Sequence, residues 1–96
     1  MITGKQRSYL KKIANNTEAI FQVGKNGLTD NFIKQVDDAL NAREIVKINV
    51  LRNSGLDQDE IIEVLVTQLR AEFVQNIGRK ITIYRESKDK TIKLPN

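Results

Sequence analysis

The 96-residue sequence contains no cysteine, no histidine and no tryptophan, and it has a single proline. Without cysteine, disulfide frameworks, thiolate metal sites and cysteine nucleophiles are excluded. Without histidine, the chain lacks the side chain that most often serves as a catalytic base near neutral pH. No apolar run approaches the roughly 18 residues needed to span a bilayer, and the first ten residues have no apolar signal core. We therefore expect a cytoplasmic protein that has no membrane association and is not an enzyme.

The length and composition indicate one domain. A chain of 96 residues can bury one hydrophobic core but has no material for a second. Hydrophobic residues make up 40% of the chain and aromatic residues only 5%, which favours a core of Ile, Leu and Val. We expect residues 1–96 to form a single domain, with the charged residues 86–96 as a loosely held tail.

The net charge of +4 is unevenly distributed along the chain. Residues 1–25 carry five bases and one acid, and residues 79–96 carry six bases and two acids. Between them, residues 26–78 carry five bases and nine acids. If the fold brings the two basic ends together, one face becomes strongly positive, as expected for a protein that binds a polyanion.

The first segment has the pattern of an amphipathic helix. Thr3 and Gln6 have the spacing of a capping box, which predicts that the helix begins there. Tyr9 falls in the apolar stripe, so we expect its ring in the core and its hydroxyl at the rim. The bases on the other side have no acidic partner within a turn, although a merely solvated face would also explain them. These bases are Lys5, Arg7, Lys11 and Lys12.

The rest of the chain alternates between strand and helix patterns. Strands are predicted at residues 19–23 and 45–51, and helices begin after the N-caps Thr29 and Asp57. Residues 73–77 and 81–85 predict an antiparallel hairpin around Gly78 and Arg79. The order is α-β-α-β-α-β-β. Right-handed crossovers would place the second and third helices on one face of the sheet, giving a two-layer α/β sandwich.

A GxxG segment, Gly24-Lys25-Asn26-Gly27, stands between the first strand and the second helix. Glycines allow a tight turn and close approach of another backbone, the following helix offers unpaired N–H groups, and Lys25 adds a cation. These features suit a phosphate backbone, as in KH domains, although a strand-to-helix turn also needs glycine for conformational reasons alone. The spacing fits neither a Walker loop nor a dinucleotide fingerprint.

Three blocks of sequence resemble the chloroplast RNA splicing and ribosome maturation (CRM) domain family, in its YhbY-like bacterial branch. The blocks are Thr3-Gly4-Lys5-Gln6-Arg7 with Tyr9-Leu10, Val23 to Thr29, and Val74 to Arg79 followed by Tyr84-Arg85. They occur in the family's order over essentially the whole chain. The resemblance implies a mixed four-stranded sheet ordered 1-2-4-3, similar to the C-terminal domain of bacterial translation initiation factor three. It also implies binding to precursor large-subunit ribosomal RNA during ribosome assembly.

The resemblance also implies which residues contact RNA. One departure is that Asn15, Asn16 and Glu18 lie where bacterial relatives often have histidines and a basic residue, which lowers the positive potential before the first strand. We expect no metal, cofactor or small-molecule substrate. The implied RNA-binding residues are Lys5, Arg7, Lys11, Lys12, Gly24, Lys25, Asn26, Gly27, Arg79 and Arg85.

Two other classes of function remain open from the residues alone. The acids Asp59, Glu60 and Glu63 on the third helix would suit docking on a ribosomal protein or assembly factor. A carboxylate or metal-dependent enzyme that acts on RNA would need the same acids. Helix solubility and pairing with the helix dipole explain them without any further active-site groups. Arg79 could equally be a turn residue, and Arg85 a charge that blunts a strand edge.

Overall fold

The computed structural model describes residues 2–96, apart from the side chain of Asn53. The predicted order of elements is confirmed. The first strand begins at Phe21, later than predicted, although Ile20 N–H still donates to the Lys47 carbonyl at 3.1 Å. The elements are α1 (Gly4–Asn15), β1 (Phe21–Val23), α2 (Asp30–Arg43), β2 (Ile45–Val50), a 3-10 turn (Arg52–Ser54), α3 (Gln58–Leu69), β3 (Glu72–Ile77) and β4 (Lys80–Tyr84).

The four strands form one mixed sheet in the order β1-β2-β4-β3, as the resemblance implied. β1 runs parallel to β2, whereas β4 is antiparallel to both β2 and β3. The register between β3 and β4 shifts between Phe73 and Gln75, which is typical of a β-bulge. β1 and β3 are therefore the two edges of the sheet.

Each helix begins at the N-cap that the sequence predicted. The Thr3 hydroxyl accepts from Gln6 N–H at 3.1 Å and the Gln6 side chain accepts from Thr3 N–H at 2.9 Å, which completes the capping box. The Thr29 hydroxyl accepts from Phe32 N–H at 3.1 Å. Asp57 accepts from Asp59 N–H at 2.9 Å. These bonds satisfy backbone donors that the first turn of a helix leaves unpaired.

The main core lies between one face of the sheet and the helices α2 and α3. Because side chains alternate along a strand, Val46, Ile48 and Val50 of β2 share this face. They pack against the buried side of both helices, so the predicted placement of α2 and α3 on one face is confirmed. The buried helix residues are Val36, Leu40, Ile61, Leu65 and Leu69.

The first helix packs on the opposite face of the sheet. Leu10 and Ala14 are fully buried in a second cluster with Ile45, Val74 and Tyr84. The expectation that Tyr9 lies in the core was wrong, because its side chain is 39% exposed. Tyr9 precedes Leu10, so the two side chains leave the helix about 100° apart and only Leu10 faces the sheet.

Residues 86–96 have no regular secondary structure, and several of them contact the body of the domain. Ile92 and Leu94 pack against the cluster under α1. The buried Glu44 carboxylate accepts hydrogen bonds from Ser87 N–H at 2.8 Å, Ser87 Oγ at 2.7 Å and Ile92 N–H at 2.6 Å. The high charge of the segment gives no indication of these contacts in the sequence. Among the described residues, no helix has the length and apolarity that crossing a membrane requires.

The docking of this tail is expected to weaken at acidic pH. Burial alone would raise the pKa of Glu44, but hydrogen bonds from Ile92 and Ser87 outweigh it and hold the pKa below its ordinary value of 4.5. The stabilisation is therefore complete above about pH 4.5 and is lost as the pH falls through the lowered pKa. Urea unfolding should show Glu44→Gln about 1–3 kcal/mol less stable than wild type at pH 7.

The same pair of proteins should converge in stability as the pH falls through the lowered pKa of Glu44, because the wild-type carboxyl then becomes uncharged, like the amide of the variant. At pH 7, trypsin should cleave Glu44→Gln faster than wild type at Lys88 and Lys90, which lie in the docked segment. A stability difference that stays constant from pH 7 down to the lowest pH at which both proteins still fold would show that the ionised carboxylate does not hold the tail.

Candidate nucleic-acid interface

Three loops meet at one end of the sheet. β1 and β2 are parallel and end together, with Val23 paired with Val50, and the hairpin turn between β3 and β4 lies beside them. Leu51 N–H donates to the Val23 carbonyl at 2.9 Å, and Val50 N–H donates to the Arg79 carbonyl at 2.7 Å. The GxxG loop, the loop after β2 and the hairpin turn are thus held together by backbone hydrogen bonds.

The GxxG loop is a tight turn in which the backbone conformation favours glycine at the second glycine position. Gly27 has a φ of 69°, a left-handed conformation that other residues rarely adopt, and its N–H donates to the Gly24 carbonyl at 3.0 Å. A Cβ on Gly24 would lie 3.4 Å from Leu51 Cδ1, which is an ordinary van der Waals contact, so space alone does not require glycine there. Lys25 and Asn26 between them are exposed. Gly27 shapes the turn, and the turn presents one cation and one amide to solvent.

Four exposed bases surround this end of the sheet. Lys25 belongs to the GxxG loop, Arg52 to the 3-10 turn after β2, and Arg79 and Lys80 to the hairpin. Arg52 and Lys80 were missed by the sequence interpretation. Arg52 could have been found because it follows β2, and parallel strands bring their carboxyl ends to the same edge of a sheet.

The predicted bases of α1 lie on two different stripes of the helix. Lys5 and Lys12 are seven residues apart and share the outer stripe, whereas Arg7 and Lys11 are four apart and lie beside β3. Arg7 is half-buried, and its Nε donates to the Phe73 carbonyl at 3.0 Å. Arg7 and Lys11 line a groove between α1 and β3 that extends to Ile77.

Arg85 occupies a different place from the other predicted site residues. It follows β4 at the end of the sheet opposite to the hairpin turn. Its guanidinium pairs with Asp37 Oδ1 at 2.8 Å and also donates to Asp37 O, Leu69 O and Asn41 Oδ1. Four side-chain hydrogen bonds to three residues therefore join Arg85, at the end of β4, to α2 and α3.

Close ion pairs are scarce on the part of the surface that the structure describes. Among the described residues, Arg85–Asp37 is the one ion pair, so the bases around the GxxG loop and on α1 have no acidic partner within 4.0 Å. The acids Glu60 and Glu63 line a shallow depression on α3. In residues 2–96, no group of three acids is arranged to hold a metal ion.

The structure defines a class of small α+β domain, in which a mixed sheet carries two helices on one face, one on the other, and a GxxG turn after its first strand. The family model described as the CRS1 / YhbY (CRM) domain matches residues 2–85. The chain belongs to the CRM domain family, which confirms the resemblance seen in its sequence.

Relatives match over almost the whole chain. The chain is 48% identical over 96 residues to "Probable RNA-binding protein YqeI" of Bacillus subtilis, covering 99% of this chain and 100% of that protein. It is 32% identical over 94 residues to a protein of Haemophilus influenzae named "RNA-binding protein", covering 98% and 95%. The solution structure of protein SAV1595 from Staphylococcus aureus matches with a TM-score of 0.83 and 51% identity, covering 99% and 100%.

Proposed function

We propose that this chain is a non-catalytic RNA-binding protein that associates with precursor large-subunit ribosomal RNA during ribosome assembly. The observation that carries the proposal is the cluster of unneutralised bases at the GxxG end of the sheet, formed by Lys25, Arg52, Arg79 and Lys80. Its relatives in Bacillus subtilis and Haemophilus influenzae bear names that describe RNA binding. The ribosomal target follows from the family resemblance.

The proposed contacts are mainly with the RNA backbone. Gly27 allows the tight turn through its left-handed conformation, and Lys25 in that turn supplies a mobile positive charge for a phosphate. Exposed bases on α1 extend the positive surface beyond the loop. Phosphate contacts confer affinity without sequence information, so we expect strong salt dependence. Arg85 is excluded from the proposed interface because its guanidinium is bound within the protein.

The loop is tested by measuring RNA affinity across a salt series. Lys25→Ala should reduce the slope of log K against log salt by about 0.7, which corresponds to one phosphate contact on a single strand. Its dissociation constant should rise by up to about fivefold, as the loss of one exposed ionic contact predicts. The probe is a transcribed fragment of large-subunit ribosomal RNA.

Arg43→Ala is the matched control for this measurement. Arg43 is also an exposed base without an acidic partner among the described residues, but it ends α2 at the opposite end of the sheet. It should leave the slope unchanged. Equal effects of the two substitutions would mean that only net charge matters, and a wild-type protein that binds no RNA would refute the proposed function.

A further inference from the structure

One row of side chains crosses all four strands next to the GxxG end. Gln22 of β1 pairs with Asn49 of β2, Asn49 pairs with Lys80 of β4, and Lys80 pairs with Ile77 of β3. These residues alternate with Val23, Val50 and Ile81, which face α2 and α3. The row therefore lies on the face of the sheet that α1 covers only in part. We call Gln22, Asn49, Lys80 and Ile77 the transverse row.

The transverse row is open to solvent. α1 packs over Ile45, Val74 and Tyr84, which lie farther from the GxxG loop. Gln22 and Lys80 are exposed, Asn49 is half-buried and Ile77 is 63% exposed. The side chains of Gln22, Asn49 and Lys80 make no hydrogen bond or ion pair with any part of the chain that the structure describes.

The chemistry of the row is suited to nucleobases. Gln22 and Asn49 are cross-strand neighbours, and each carboxamide offers a donor and an acceptor side by side. A base edge presents a complementary donor and acceptor, which is why Asn and Gln are used to read bases. Ile77 adds an apolar surface at the end of the row, and Lys80 adds a positive charge. The row contains no aromatic ring, so hydrogen bonding rather than stacking would dominate.

The row also connects the two parts of the proposed backbone site. At one end, Gln22 lies two residues before Gly24 of the GxxG loop. At the other end, Ile77 borders the groove that Arg7 and Lys11 line. The four strands span roughly 14 Å, since neighbouring strands lie about 4.8 Å apart. An extended RNA strand could thus run from the loop across the sheet to the groove.

We propose that the transverse row binds the bases of a single-stranded RNA segment, with Gln22 and Asn49 reading their edges. This inference rests on the proposed function and adds base selectivity to it. Paired RNA does not fit, because the base edges of an A-form helix lie in a narrow major groove or form a shallow minor groove, and such helices are recognised by shape. An acidic protein surface would also suit the positive charges at both ends of the row. RNA is favoured because its bases present edges with which the two amides between those charges can form hydrogen bonds.

The test compares single-stranded oligonucleotides of A, C and U of equal length with a duplex RNA, using fluorescence anisotropy at fixed salt. Wild type should prefer one of the three homopolymers by about fivefold or more and bind the duplex less tightly, since one good amide pair discriminates by about 1–3 kcal/mol. The double variant Gln22→Ala/Asn49→Ala should lose this preference to within about twofold, while its salt slope stays unchanged. Lys25→Ala should do the opposite, reducing the slope and keeping the preference.

Two further variants serve as controls for the position of the amides and for unfolding. Gln68→Ala removes an exposed amide from α3, on the other side of the molecule, and should keep the preference. Gln22→Thr/Asn49→Thr removes the same amides but uses a residue favoured in strands, so it applies if the alanine variant unfolds. Wild-type binding without base preference, a preference that survives the double variant, or tighter binding to the duplex would overturn the inference alone. Absence of any RNA binding would overturn the proposed function as well.

Discussion

Replacing Arg85 with alanine is expected to lower the free energy of unfolding by about 2–3 kcal/mol, the range for losing hydrogen bonds to a charged group. The guanidinium donates four hydrogen bonds of 2.8–3.0 Å to Asp37, Leu69 and Asn41. Its side chain is only 19% exposed, so water replaces these bonds incompletely. Asp37 is 45% exposed, and its loss of a partner costs less than that of a buried carboxylate would. The carbonyl of Leu69, at the end of α3, loses its guanidinium donor.

Urea unfolding followed by circular dichroism measures this effect, and Arg79→Ala is the matched control. Arg79 lies in the β3–β4 turn, is exposed and has no acidic partner in residues 2–96. Its replacement should change stability by less than about 0.5 kcal/mol, as is usual for surface positions. RNA affinity should fall for Arg79→Ala, whereas folded Arg85→Ala should bind RNA as tightly as wild type. An Arg85→Ala protein as stable as wild type but weaker in RNA binding would return Arg85 to the interface.

The different roles of these two arginines could not be predicted from the sequence. Both follow or precede strand patterns and both match basic positions of the family. Arg85 is distinguished by Asp37, which lies 48 residues earlier in the chain. No local pattern carries that information, because it depends on how β4 packs beside α2. Only the folded structure shows that Arg79 is exposed whereas Arg85 is bonded within the protein.

The elements of the fold were predictable because local physics determines them. Thr3, Thr29 and Asp57 are capping residues in front of apolar periodicity, and β2 alternates buried and half-buried positions. The position of α1 was not predictable in this way, since an amphipathic stripe shows that one side of a helix is buried but not which face of a sheet buries it. The strand order 1-2-4-3 came from the family resemblance rather than from periodicity.

Some parts of the candidate site could likewise be predicted from the sequence and others could not. The GxxG loop could be recognised from turn chemistry, and the conformation of Gly27 explains its glycine. The contacts of the tail could not be predicted, because the partner of Ser87 and Ile92 is Glu44, more than 40 residues away. The transverse row could not be seen at all, because its residues become neighbours only through strand register.

The largest effect on RNA binding is expected from removing three bases of α1 together, in the variant Lys5→Ala/Lys11→Ala/Lys12→Ala. All three are exposed and have no acidic partner among the described residues. Losing three phosphate contacts should reduce the salt slope by about 2, at about 0.7 per contact on a single strand. Extrapolated over the decade from 1 M to 0.1 M salt, that slope corresponds to a loss of affinity of roughly 100-fold at 0.1 M.

Arg7 is left intact in this variant because its Nε bonds to the edge strand and its loss would confuse stability with binding. Alanine has the highest helix propensity, so α1 should remain folded, which a thermal melt verifies. The variant Glu60→Gln/Glu63→Gln changes charge on the opposite surface and should leave RNA affinity equal or slightly higher.

The two stripes of α1 can then be separated. If the phosphate backbone follows the groove beside β3, Lys11→Ala should account for more of the loss than Lys5→Ala and Lys12→Ala each do, because Lys11 alone of the three lines that groove. If Lys5 and Lys12 dominate, the RNA lies over the outer stripe and passes the transverse row at a distance. A triple variant with an unchanged salt slope would place Lys5, Lys11 and Lys12 outside the interface, and the RNA would then be held mainly at the GxxG end.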